Sequence, residues 1–460
     1  MENNIVNINA TNLAEAIKKA YQPDWIYIGS NGEQKISRQR LYIHLKENLK
    51  LKITDKGNLF LYDDKIYKKL NVRDFKAMIK SYLPVEIRSE TDWEAVWKEF
   101  CTDKADLKET DFDSDENIIG FENGVLELDS GEMKEYSEDM LLTRIVPCEY
   151  YPNKSLDESP VFKSYLETLC DNNEVEMDFL LEYIGGILSH VKGWRFKKML
   201  ELVGDGNTGK TQLRELVMNL LGREHSVSID MRRINDKFGT VQLYRKRLAG
   251  SGDMSTVEIA EMNVIKNLTG GDDIFAEYKG KDGFSFRYDG FLWFNANKLP
   301  HFRGDRGQHV YERFAIVQCH NIIPREKRDP QLLDKMMAEK NVIASVAVDK
   351  FKKAIERGYK FSESSEMRNS IINYQVENNS LLAFMKDCCY FDFTCRGTKR
   401  SDFNKVYKKW CIANRMLPER DREIGKQLEE YYQITTKKVN GYFYYPIEIS
   451  DDVLKEMDIT

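Results

Sequence analysis

The sequence predicts an α/β protein built on a P-loop core, with a mixed α/β and helical region before it and a winged-helix domain after it. Three observations carry that expectation. Gly204-Asp205-Gly206-Asn207-Thr208-Gly209-Lys210-Thr211 is a complete GxxxxGK[ST] run, entered from the apolar stretch Met199-Leu200-Glu201-Leu202-Val203. Short strands alternate with helices from Arg195 to about Ala347, as a sheet with crossover helices requires. Beyond about Ser364 the pattern changes to three helices and a hairpin.

Residues 1–110 read as a small α/β domain. Helical spacing runs over Arg38–Leu51 and Val72–Leu83, and between them Leu59 to Tyr67 reads as two strands around an Asp63-Asp64 turn. The aromatic residues of this domain are assigned to its core. Asp111-Phe112-Asp113-Ser114-Asp115-Glu116 reads as a solvated surface linker, within a stretch from Thr102 to Asp139 that holds fourteen acids against three bases. Residues 111–194 then carry a hairpin, Ile118 to Leu128 around Asn123-Gly124, and helices over Val161–Cys170 and Val175–Ser189.

The core occupies 195–363, with strands expected at 197–203, 226–230, 245–251, 291–296 and 314–319. Apolar residues Leu213, Leu216, Val217, Leu220 and Leu221 fall at helical spacing just after the glycine loop, so strand, loop and helix come in the required order. Residues 364–460 carry helices over Leu381–Cys389, Arg400–Asn414 and Arg422–Glu430, then strands Ile434–Lys438 and Tyr442–Ile449 about Asn440-Gly441. That order is the one a winged helix shows.

With 460 residues, 42% of them hydrophobic and 31% charged, the chain is globular, and no run of eighteen apolar residues occurs. Met1-Glu2-Asn3-Asn4 lacks the basic-then-apolar layout of a signal peptide, so a soluble cytoplasmic protein with no membrane partner is expected. Eight cysteines without a CxxC pair and six scattered histidines predict reduced thiols and no zinc site. The net charge of −6 hides an uneven distribution: Arg396 to Lys438 holds twelve bases against six acids, which permits nucleic acid at particular surfaces.

The glycine run names its own chemistry. Consecutive backbone N–H groups from Gly204 to Gly209 curl around the β- and γ-phosphates of a nucleoside triphosphate, Lys210 adds a point charge, and the Thr211 hydroxyl is placed to ligate Mg²⁺. A neighbouring strand must end in an acid for the metal, and Asp253, after Arg247 to Gly252, is the candidate. The strand Phe291-Leu292-Trp293-Phe294 runs into Asn295-Ala296-Asn297, where an amide between triphosphate and acid senses the γ-phosphate. Arg313 precedes the next strand and is a candidate arginine finger. Spacing alone leaves both roles open, the alternative being ordinary strand-end residues. Between acid and amide, a hairpin with the tip Lys279-Gly280-Lys281-Asp282-Gly283 is flanked by Tyr278 and Phe284, a combination suited to a phosphate backbone with a base or sugar beside it.

Taken in order, these motifs resemble the superfamily 3 DNA helicases of the AAA+ class, in the poxvirus and phage primase-helicase branch found in satellite phages and mobile genetic islands. The resemblance covers about residues 115–450. Asn123 to Leu128 with Glu182-Tyr183-Ile184-Gly185 resembles the region before the ATPase, and Ile265-Lys266 to Thr269-Gly270-Gly271-Asp272 resembles the signature between acid and sensor. Asn297-Lys298-Leu299-Pro300 resembles the sensor motif, which selects Asn297 over Asn295, and Arg313-Phe314 matches the finger position.

The resemblance implies an AAA+ P-loop NTPase core that binds ATP and Mg²⁺ at the interfaces of a homo-oligomeric ring, a hexamer. Its hairpins, here Lys279, Lys281 and Phe284, line a channel that grips single-stranded DNA. The activity implied is that of an ATP-dependent replicative helicase and initiator of a phage or mobile element, working on forked DNA and origin duplex. The C-terminal module resembles the winged helix that ends many such proteins, with a DNA face of Arg396, Lys399, Arg400, Lys405, Lys408, Lys409 and the Lys437-Lys438 hairpin. Two departures stand out. Many relatives have paired acids where Gly252 here precedes the single Asp253, leaving Glu258 as a substitute base, and nothing in front resembles a primase domain. The alternatives are a non-translocating origin-binding initiator that uses ATP only to assemble, and a small-molecule kinase sharing the loop.

Overall fold

The computed structural model describes residues 23–254, 259, 262–280, 282–302, 307–391, 397–414 and 416–456. Its contacts divide the chain into two units, Met1–Glu149 and Tyr150–Thr460.

The first unit begins with a hairpin of β1 (Ile26–Ile28) and β2 (Gln34–Ile36) and with α1 (Arg38–Asn48), whose N-terminus is capped by the Ser37 side chain. Strands β3 (Leu51–Ile53), β4 (Leu59–Tyr62) and β5 (Tyr67–Leu70) form an antiparallel sheet. Helices α2 (Val72–Tyr82) and α3 (Glu90–Thr102) follow, and Leu41, Leu45, Phe75, Ile79 and Phe100 are fully buried between these elements. Among the described aromatic residues Trp25, Phe60, Tyr62, Tyr67, Phe75, Trp93 and Phe100 are buried in the core, as expected, while Tyr27 is exposed. The acidic stretch is not a free linker: Phe112 packs 4.4 Å from Phe60 and 5.2 Å from Tyr67, and Glu109 accepts a 2.6 Å hydrogen bond from Asn58. One aromatic ring with a pocket to fill outweighs the solvation of its charged neighbours. Strands β6 (Ile118–Phe121), β7 (Gly124–Glu127) and β8 (Met133–Lys134) complete the unit.

The second unit opens with α4 (Pro160–Leu169) and α5 (Glu174–Leu188), then β9 (Met199–Val203), α6 (Lys210–Leu221), β10 (Ser226–Ser228) and β11 (Leu248–Gly250). Helix α7 (Asn263–Gly270) leads to the hairpin of β12 (Asp273–Ala276) and β13 (Phe284–Arg287), then to β14 (Phe291–Ala296) and β15 (Phe314–Gln318). Five of these strands make one parallel sheet in the order β10-β11-β14-β9-β15. All five residues of β9 are buried, which is why that strand reads as a nearly continuous apolar run.

Helix α8 (Lys340–Glu356) lies against α5 so closely that a Cβ on Gly185 would sit 2.2 Å from the Ala347 carbonyl oxygen. The Tyr183 hydroxyl fastens α5 to the sheet, donating to Leu292 O at 2.6 Å and accepting from Leu200 N at 3.2 Å.

Helices α9 (Ser365–Asn378) and α10 (Ser380–Cys388) lead into the C-terminal module: β16 (Cys389–Phe391), β17 (Thr398–Lys399), α11 (Arg400–Ala413), α12 (Asp421–Tyr432), β18 (Lys437–Val439), β19 (Tyr442–Tyr445) and β20 (Ile447–Ile449). The single strand expected over Tyr442–Ile449 is two strands. Pro446 has no N–H to give a ladder, so β19 pairs with β17 and β18 while β20 turns to β16. Among the described residues no helix is long and apolar enough to cross a membrane.

Candidate functional site

Strand β9 delivers the glycine loop to the carboxyl edge of the sheet. Gly204 has φ 155°, and a Cβ there would lie 2.1 Å from the Cys319 carbonyl oxygen, so only glycine lets the loop leave the strand beside the end of β15. Helix α6 starts at Lys210, and the loop wraps its N-terminus. Lys210 Nζ donates to Gly204 O at 2.6 Å, Asp205 O at 2.8 Å and Thr208 Oγ1 at 3.1 Å, and is 7% exposed. Burial lowers its pKa from the ordinary lysine value, opposed by Cys319, Asp205 and Asp253 nearby. Burial likewise pushes the Cys319 thiol up to about 12.

The loop forms one wall of a cleft of about 1110 Å³ whose lining includes Lys210, Thr211, Asp253, Asn295 and Asn297. Strand order explains the convergence, because β14 lies between β9, which carries the loop, and β11, whose continuation carries Asp253. The Thr211 hydroxyl and Asp253 carboxylate are hard oxygen donors suited to Mg²⁺, which takes few protein ligands besides phosphate and water. Among the described residues no cluster of three or more His, Cys, Asp or Glu competes for a metal.

Asn297 is exposed at the cleft, whereas Asn295 is fully buried. Asn295 Oδ1 accepts from Trp293 Nε1 at 2.8 Å, and its Nδ2 has no hydrogen-bond partner among the described residues. An unsatisfied buried donor at this edge is costly and calls for an acceptor. Asn295 lies inside β14, and Asn297, which holds the NxxP position, follows the strand end.

Three further residues escaped the sequence reading. The Tyr165 hydroxyl on α4 donates to Gly209 O at 2.9 Å and ties α4 to the glycine loop at the cleft wall. Lys327 and Arg328 line the cleft after β15, and their only signal was a charged run beyond the last strand.

Arg313 lies apart from this group. It precedes β15, its carbonyl accepts from Met199 N at 2.7 Å, and it therefore sits at the amino edge of the sheet, opposite the cleft. Its Nη1 donates to Thr269 Oγ1 at 2.8 Å, and its Nε is buried with no partner among the described residues. Burial lowers its pKa, against the pull of Asp272 and Glu312.

In the β12–β13 hairpin Lys279 is exposed, while Phe284 is half-buried, 5.0 Å from Tyr244 and 6.0 Å from Tyr278. The more exposed ring is Phe275, at 62%, which the alternation of Asp273–Ala276 signals and the sequence reading passed over. In the C-terminal module Lys405 is exposed, Arg400 and Lys409 are half-buried, and Lys408 pairs with Asp421 at 2.7 Å. Lys281, Glu258 and Arg396 lie outside the described residues.

A parallel sheet with a glycine loop and lysine at its carboxyl edge is the architecture of a nucleotide-binding α/β core. Residues 202–313, from the loop strand through Arg313, match a family of unknown function (DUF5906). Residues 14–171 match the family described as D5 N terminal like. Similar solved structures include an A-form apo structure of the NrS-1 C-terminal region, at 12% identity and TM-score 0.49, covering 88% of this chain and 98% of that one. A second apo structure of the same region aligns at 13% identity and TM-score 0.45, over 88% of this chain and 97% of that one.

Proposed function

We propose that this protein is an ATP-hydrolysing replicative DNA helicase of a phage or mobile genetic element, a superfamily 3 AAA+ motor that works as a hexameric ring on single-stranded and forked DNA. The observation that carries the reading is the convergence of Lys210, Thr211, Asp253 and the Asn295–Asn297 edge on one cleft, with Arg313 held away from it. The D5 N terminal like match supports a place among phage-type replication proteins of the helicase-primase kind.

In this reading the loop amides and the α6 N-terminus hold the triphosphate, and Lys210 turns from the Gly204 and Asp205 carbonyls to the β- and γ-phosphates. Thr211 and Asp253 hold Mg²⁺, which when bound neutralises charge on those phosphates. Asn297 and Asn295 orient the attacking water, and Arg313 reaches the cleft of a neighbouring subunit. The β12–β13 hairpin with Lys279 then moves one DNA strand, and the C-terminal winged helix adds a second DNA contact.

The test is ATP-dependent unwinding of a forked duplex by the wild type, Lys210→Ala, Arg313→Ala and Lys279→Ala/Lys281→Ala, with hydrolysis followed in parallel. Loss of hydrolysis in the first two variants, and hydrolysis without unwinding in the third, are expected. One observation favours a second reading. Asp253 follows Gly252 rather than a second acid, and a strand end with one carboxylate suits an initiator that binds ATP in order to assemble at an origin. Hydrolysis without any strand separation by the wild type, or full activity of the hairpin variant, moves the assignment there.

A further inference from the structure

The C-terminal module carries a sheet face of which the motor reading uses only the lysines. Strands β17, β19 and β18 pair with Lys399 and Lys437 opposite Tyr444, and Val439 opposite Tyr442. Residues opposite one another, or two apart on a strand, share a face, so Lys399, Lys437, Val439, Tyr442 and Tyr444 lie together. Tyr445 points the other way and is buried, its ring 5.3 Å from Phe403. The shared face is therefore the outward one.

The outer face of an antiparallel sheet is ordinarily polar. Here Tyr442 is 54% exposed, Val439 is 36% exposed, and Tyr444 is half-buried beside them. The Lys399 ammonium lies 3.7 Å from the Tyr442 ring centroid, steadying one side of a ring that stays more than half exposed. Lys437 and Lys438 are exposed on the adjacent strand.

Charge decides which element meets a polyanion. Helix α12, which precedes the hairpin, exposes Asp421, Glu429 and Glu430 with Arg422 and Lys426, and Asp421 already engages Lys408. Such a face is poorly matched to a groove walled by phosphates, whereas the sheet face offers lysines and aromatic rings together.

We propose that this face is a stacking platform for unpaired bases of single-stranded DNA, with bases on Tyr442 and Tyr444 and the phosphate backbone along Lys399 and Lys437. The choice of DNA rests on the replication reading above; the platform itself needs neither nucleotide nor ring movement, and its test uses neither.

The full chain without nucleotide is mixed with an oligo(dT) strand carrying 5-iodouracil, cross-linked with light and mapped by mass spectrometry. Anisotropy with unmodified oligo(dT) and with blunt duplex is measured alongside. Cross-links at Tyr442 or Tyr444 are expected, and Tyr442→Ala/Tyr444→Ala weakens single-strand binding by about tenfold or more while duplex binding moves less than about twofold. Tyr442→Phe/Tyr444→Phe keeps the affinity. Lys399→Gln/Lys437→Gln lowers the slope of log affinity against log salt by about 1.4, which serves as an independent reading if the alanine pair does not fold. Cross-links confined to the β12–β13 hairpin, equal loss on duplex, an unchanged alanine pair, or loss of self-association in place of DNA binding each overturn the platform. Failure of unwinding alone overturns the motor and leaves the platform standing.

Discussion

Glu201 offers the sharpest quantitative test of the fold. It is the one charged residue of β9, it is 0% exposed, and it lies in register with Phe294 on one side and Ile316 on the other. Neither carboxyl oxygen has a hydrogen-bond partner among the described residues, and burial holds the group well above the ordinary value of 4.5. The folded protein therefore holds this proton to a higher pH than the unfolded chain does. The sign follows from proton counting: above pH 4.5 the unfolded chain has released a proton that the folded one retains. The stability this group contributes is thus complete below 4.5 and is lost as pH rises toward the folded value, by up to about 1.4 kcal/mol per pH unit. Glu201→Leu removes both this term and an unsatisfied buried polar group, the latter worth about 1–3 kcal/mol. Native-state hydrogen exchange of the peptide spanning 199–203, corrected for intrinsic rates, reads the difference where it arises. The leucine variant is expected to be more protected than wild type, with a gap that widens from pH 5.5 to 7.5, whereas Glu201→Gln removes the pH dependence and keeps a buried polar group. A leucine variant less protected at pH 7.5, or a gap that ignores pH, refutes the reasoning and means the carboxylate is ionised with a partner.

Three other outcomes follow from the geometry. Tyr165→Phe removes the 2.9 Å hydrogen bond to Gly209 O, and since Gln212 N also donates to that carbonyl at 2.8 Å the loss is only about 0.5–1.5 kcal/mol, read as a two- to thirteenfold rise in KM for ATP with kcat little changed. Gly185→Ala drives a methyl group into the Ala347 carbonyl of α8, so thermal unfolding should move down by at least about 1–3 kcal/mol in stability. Asn297→Ala and Asn295→Ala should each lower kcat for ATP hydrolysis by about a hundredfold; an Asn295 variant with normal kcat would show that its buried donor has no part in the reaction.

What the sequence made legible was local. The glycine loop carries its own chemistry in eight adjacent residues, and β9, β14 and β15 announced themselves as short apolar runs because they are buried almost throughout, whereas the edge strand β10, Ser226-Val227-Ser228, is partly exposed. The full strand order was not legible, since it depends on pairings such as Trp293 with Leu200 across almost a hundred residues. Tyr165 was invisible for the same reason: its partner at Gly209 lies on another element. Phe112 and Pro446 show the opposite failure. In both cases one residue overrode a pattern read as an average, a ring anchoring an acidic run and a missing N–H breaking an apolar one.

The placement of Arg313 is a consequence of chain direction. A residue just before a parallel strand must lie at the amino edge, and a loop just after a parallel strand must lie at the carboxyl edge. β15 has five residues, which at about 3.3 Å each puts roughly 16 Å between those edges, beyond the reach of an arginine side chain. Arg313 thus has no route to the cleft of its own subunit, and a role at phosphate requires a second copy in a head-to-tail contact, the kind that closes into rings. This makes a prediction independent of any DNA substrate. Lys210→Ala and Arg313→Ala are each expected to be inactive alone, yet in an equal mixture some interfaces pair the intact Lys210 of one variant with the intact Arg313 of the other. Random assembly makes that pairing in about a quarter of interfaces, so the mixture should regain about a quarter of the wild-type ATPase rate if sites fire independently. Pre-formed oligomers that do not exchange subunits regain nothing, so the two chains are mixed before assembly at low concentration. If the co-assembled mixture stays inactive, or if Arg313→Ala alone hydrolyses ATP at the wild-type rate, the arginine is a structural partner of Thr269 and the shared-site arrangement is wrong.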